Sequence, residues 1–75
     1  MSAKEYRTAA SAQGGLLTVR DAHQIAFGDR VQIRDHRGRR RNGQVIRAGA
    51  EEVLVQVFEG TEDIDLESTW VRFLD

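Results

Sequence analysis

The 75-residue sequence holds few side chains able to make or break a bond. Its two histidines, His23 and His36, lie in a glycine-bounded connector and in an arginine-rich turn. A metal or general-base site needs several converging ligands, and neither histidine has a partner in its neighbourhood, so both read as surface residues. Ser11, Ser68 and Thr69 lack the strand-turn-helix setting of a nucleophile elbow. Glu59, Glu62, Asp63, Asp65 and Glu67 crowd one stretch. Without the EF-hand loop and its central glycine they read as a solvated acidic loop. A phosphate-cradling P-loop ends in Lys followed by Ser or Thr, whereas the sole lysine, Lys4, precedes Glu5. The chain is therefore expected to bind no nucleotide, metal or cofactor and to catalyse nothing.

The remaining chemistry belongs to Arg37, Arg39, Arg40 and Arg41, whose guanidinium groups suit phosphate or carboxylate partners. A free-standing small β-barrel binding RNA or single-stranded DNA through Arg37 to Arg41 is one reading. Surfaces of that kind interleave aromatic rings for base stacking. Here the nearest aromatics in sequence are Phe27 and Phe58, and the isoelectric point of about 6.1 is far from the basic norm. Both weigh against nucleic acid.

The elements that would position these groups are short strands. Val53, Val55 and Val57 alternate with Leu54, Gln56 and Phe58, the two-residue period of a pleated strand. Gly43 to Ala48 forms the other arm of a hairpin reversing at Ala48-Gly49-Ala50-Glu51, with Gly49 expected at positive φ. A bulge at Gly43 is expected to bend the arm that leads in from Arg39. Glu5 to Ala12, Leu16 to Arg20, Asp29 to Arg34 and Thr69 to Leu74 supply further strands. Asp21 to Gly28 reads as one helical turn, with Asp21 as cap and Ile25 and Phe27 inward. Asp35-His36-Arg37-Gly38 reads as a type I turn. These six strands, spaced about ten residues apart, predict an all-β, small, closed six-stranded barrel, because closure removes exposed edges. Val53, Val55 and Val57 then fill the barrel, and Leu54 and Phe58 await cover by a loop or another chain.

Length permits one domain, residues 1–75. There is no cysteine, hence no disulfide and no thiolate metal site. No apolar run approaches the roughly 20 residues of a transmembrane helix, and the N-terminus lacks a signal-peptide core. A cytoplasmic chain with no membrane insertion is expected. The net charge of -1 hides a segregation: Arg30 to Arg47 holds seven arginines against Asp35, and Glu51 to Asp75 holds eight acids against Arg72. Opposite fields of this kind steer association.

Glu5-Tyr6, Gly14 with Leu16-Leu17, Ala26-Phe27-Gly28, Gly43-Gln44-Val45-Ile46, Val55-Gln56-Val57-Phe58-Glu59-Gly60-Thr61 and Ile64-Asp65-Leu66 together carry a resemblance. With them the chain resembles the N-terminal β-barrel of the B subunit of V-type and A-type rotary ATP synthases. It departs in having Gly14-Gly15 where that family has Gly-Pro, and Asp63 where it has glycine. The resemblance implies the barrel of a non-catalytic, regulatory subunit that partners the catalytic A subunit in an alternating ring of six. The nucleotide-binding and C-terminal helical domains of the family are absent from these 75 residues. On that view the contacts to neighbouring subunits fall to Arg39, Arg40, Arg41, Leu54, Phe58, Glu62 and Asp63, with the arginine turn of one barrel near the acidic loop of the next. The isolated barrel is expected to be monomeric or weakly associating.

Overall fold

Alternation of apolar and polar residues recurs along nearly the whole chain, and the computed structural model, which describes residues 3–74, turns it into seven strands. The ends of the expected domain, Met1, Ser2 and Asp75, lie outside the described residues. The strands are β1 (Ala3–Tyr6), β2 (Ala9–Gln13), β3 (Leu16–Arg20), β4 (Arg30–Arg34), β5 (Arg40–Ala48), β6 (Glu52–Val57) and β7 (Trp70–Leu74). They form one antiparallel sheet in the order β1-β7-β4-β5-β6-β3-β2. The outermost strands, β1 and β2, are consecutive pieces of chain separated only by Arg7 and Thr8. The sheet therefore curls until its two edges meet through the backbone itself. The expected first strand, Glu5 to Ala12, is in fact two: β1 pairs with β7, and β2 pairs with β3. One strand cannot run straight and serve both neighbours, so it breaks at Arg7-Thr8 and its register shifts between Ala9 and Ser11. Seven strands thus replace six around the same barrel.

The inward pleat fills the interior. Leu17, Val19, Val31, Ile33, Val45, Val53, Val55, Val57, Val71 and Phe73 are all buried, and Tyr6 packs edge-on against Phe73 at 5.6 Å. β-branched side chains dominate because they fit a pleat without losing much rotamer freedom.

Three local expectations are corrected. Gly49 does not take a positive φ; its amide donates to the Glu52 carbonyl at 2.8 Å, and a Cβ there would stand 3.1 Å from that oxygen. Glycine at this reversal serves close approach, not handedness. The bulge lies at Ile46, where pairing with β6 slips between Val45 and Arg47, and not at Gly43. The segment from Asp21 to Gly28 is no helical turn: Asp21 and Gln24 have φ of 56° and 61°, which a right-handed turn cannot hold. Backbone bonds to the β5–β6 hairpin compete successfully for its amides, since Asp21 donates to the Glu51 carbonyl at 2.7 Å and Gly28 to that of Val45 at 2.8 Å. Ile25 packs on the core as expected, but Phe27 turns outward.

Two departures from the resembled family find their geometry here. Gly15 has a φ of 83°, a conformation closed to the proline that the resemblance expects here, whose ring holds φ near -65°. Asp63, at 62°, occupies the left-handed region that glycine, which the resemblance expects here, enters freely and that aspartate tolerates better than most side chains.

Candidate interaction surface

The arginine-rich turn is built around a buried carboxylate. Asp35 closes a tight turn, its carbonyl accepting from Gly38 N at 3.0 Å. Its Oδ1 accepts from the amides of Arg37 and Arg39, each at 2.9 Å, and its Oδ2 accepts from Arg39 Nε at 2.9 Å. Burial alone would raise the pKa of this group. The two amides and the guanidinium outweigh it, so the carboxyl titrates below the ordinary aspartate range. Arg39 is therefore held within its own turn.

Arg41 is also engaged inside the chain. It pairs across β4 with the buried Ile33, on the inward pleat at one end of the barrel. Its guanidinium reaches over that end to the carbonyls of Gly60, at 2.8 Å, and Glu62. Glu59 fastens the same loop from the other side, accepting from Asn42 N at 2.7 Å and Asn42 Nδ2 at 3.1 Å. The Asn42 amide is the main reason its carboxyl titrates below the ordinary glutamate range. The basic and acidic blocks thus touch within one barrel. Asp65 is spent on capping: its Oδ1 accepts from Glu67 N and its Oδ2 from Ser68 Oγ, opening the 3-10 turn Leu66–Ser68. Among the described residues no three His, Cys, Asp or Glu side chains converge as metal ligands would.

The other contact candidates face solvent. Arg40 and Phe58 are exposed on the outer face and Leu54 is half-buried there, while Glu62 and Asp63 are exposed on the acidic loop. Phe58 is 63% and Phe27 76% exposed. Among the described residues no loop covers them. Sequence reasoning missed Trp70 and Arg34. The β4–β7 pairing sets Trp70 directly beside Arg34, and the β4–β5 pairing sets Arg34 beside Arg40. A ring is thus present among the arginines that looked bare of aromatics, with Arg7 lying 4.8 Å above its centroid. Only the strand order could have revealed it.

A profile described as the ATP synthase alpha/beta family, beta-barrel domain, matches residues 10–75. The chain belongs to the ATP synthase alpha/beta family. This barrel domain of the family is also 68% identical over all 75 residues to the V-type ATP synthase beta chain of Nitrosococcus oceani. It spans 16% of the length of that relative. Among the described residues no helix is long and apolar enough to cross a membrane.

Proposed function

We propose that this barrel is the assembly element of the non-catalytic, regulatory B subunit of a V/A-type ATPase or ATP synthase that translocates protons or sodium ions. It holds that subunit against catalytic A subunits in the alternating hexameric head, on the cytoplasmic face of the membrane, and takes no share in the chemistry of ATP. The observation that carries this reading is the 68% identity, over the full chain, to a V-type ATP synthase beta chain. The geometry supports it: the interior is filled with side chains, so the barrel's work falls to its outside, where Phe27 and Phe58 stand uncovered. As a unit on its own, residues 1–75 are expected to be monomeric, because contacts between single domains in such a ring are small.

The test is a chimera in which this chain replaces the matching segment of the Nitrosococcus oceani chain. Co-expressed with the other head subunits, it should give a hexamer by native mass spectrometry, and deletion of the segment should abolish the hexamer. A deletion variant that assembles as well as the chimera would defeat the proposal.

A further inference from the structure

β4 is paired over all five of its residues on both sides, with β5 and with β7. The inward pleat takes Val31 and Ile33, so the outward pleat lines up three rows across the sheet. They are Arg30 with Gln44 and Leu74, Gln32 with Asn42 and Arg72, and Arg34 with Arg40 and Trp70. β1 adds Glu5 beside Arg72. Phe58 adjoins Asn42, whose carbonyl accepts the Phe58 amide at 2.8 Å. The surface sinks in two places. A groove of about 420 Å³ runs along the first row, bounded by Phe58 and Leu74. A depression of about 70 Å³ lies among Arg34, Arg40, Arg72 and Trp70, with Glu5 at its wall. Gln32 borders both.

The charge of this face is unbalanced. Arg30, Arg34, Arg40 and Arg72 share it with Glu5 and with Glu59, whose carboxylate is held by Asn42. The ion pairs among the described residues, Arg39 with Asp35 and Arg20 with Glu52, involve none of the four. Arg34 and Arg40 stand directly opposite each other, an arrangement of like charges that costs stability on a sheet. An external anion would relieve it. The depression is small and walled by three guanidinium groups, whose fork geometry suits carboxylates. Trp70 already has one face covered by Arg7.

We infer that this face binds an extended acidic segment of another protein chain. One apolar side chain of the segment seats beside Phe58 and Leu74, and its carboxylates pair with Arg34, Arg40 and Arg72. The first and third rows are four residues apart along β4, or about 13 Å, so apolar anchor and acids are separated by about four residues in the segment. The inference rests on the assembly reading only for where such a partner is found, in a neighbouring subunit. It moves the basic contact away from Arg39 and Arg41, which are engaged within the chain.

The test is a titration of the isotopically labelled 75-residue chain, followed by amide and indole NMR signals, with a capped ten-residue peptide. The peptide carries leucine near its start and glutamates beginning four residues later. Signals of β4, β7 and the Trp70 indole should move, and raising the salt should weaken binding. An Arg34→Glu, Arg40→Glu double variant that keeps the dispersed spectrum of a folded barrel should bind at least tenfold more weakly. Phe58→Ser should weaken binding several-fold, as should a peptide with glycine in place of leucine. Unchanged affinity in the arginine variant overturns the inference, as do shifts confined to another face. Tighter binding of a single-stranded oligonucleotide of equal charge at this face also overturns it, in favour of nucleic acid. A chimera that assembles while the peptide fails to bind sinks this inference alone; a bound peptide beside a chimera that does not assemble sinks the assembly reading alone.

Discussion

Gly43→Ala is the substitution to which the barrel should be least tolerant for its size. Gly43 is buried in the middle of β5, paired with Val31 of β4 on one side and Val57 of β6 on the other. Its backbone is not left-handed, so the reason for glycine is space. A Cβ there would stand 2.4 Å from the Gln56 carbonyl oxygen and 3.0 Å from Val55 Cγ1. The first is backbone in a paired strand and the second a fully buried side chain, so neither moves cheaply. Overpacking of this sort costs about 1–3 kcal/mol, and opening the β5–β6 ladder forfeits a hydrogen bond worth about 1 kcal/mol. Against them stands about 0.5 kcal/mol gained by stiffening the unfolded chain. The balance is about 2.5 kcal/mol of destabilisation, and for a domain of this size each kcal/mol lowers the melting temperature by about 4–8 °C. Thermal unfolding followed by circular dichroism should therefore show a fall of about 10–20 °C. Gly38→Ala is the control, because Gly38 has a φ of 78° with nothing within 4 Å of its added Cβ. It should cost only about 1–2 kcal/mol of backbone strain. If the Gly43 variant melts no lower than the Gly38 variant, the close approach of β5 to β6 is not what selects glycine.

Two further outcomes follow from the clamps at the ends of the barrel. Asp35 and Glu59 have folded-state pKa values depressed below their ordinary ones, so the stability they contribute is present above the ordinary carboxylate pKa of about 4 and is lost as pH falls through the folded values. Urea midpoints should drop between about pH 5 and pH 2, and Asp35→Asn should lower the midpoint at pH 7 while flattening that acid dependence; an unaltered acid slope would remove Asp35 from the account. Arg41→Gln should free the acidic loop from the carbonyls of Gly60 and Glu62 at a cost of about 1–2 kcal/mol. Amide exchange at Glu62 to Ile64 should then accelerate about tenfold with the core strands unchanged, and uniform acceleration throughout the barrel would contradict it.

The sequence alone determined the kind of surface each segment presents. Alternation is a property of one strand, so Val53-Leu54-Val55-Gln56-Val57 declares its buried and exposed faces without knowledge of any partner. The Gly43-Gln44-Val45-Ile46 segment that carries family resemblance is equally local. What only the tertiary structure decided is adjacency between strands distant along the chain. The β4–β7 ladder brings Trp70 to Arg34, and Arg41 reaches over the barrel end to Gly60, ties that no spacing rule anticipates. Even glycine, recognisable as a punctuation mark, kept its meaning hidden: Gly49 and Gly43 both yield space to a facing carbonyl. The physical reason is that a pleat is set by neighbouring bonds, whereas register and closure are set by which distant backbone groups find one another when a single curled sheet must satisfy them all.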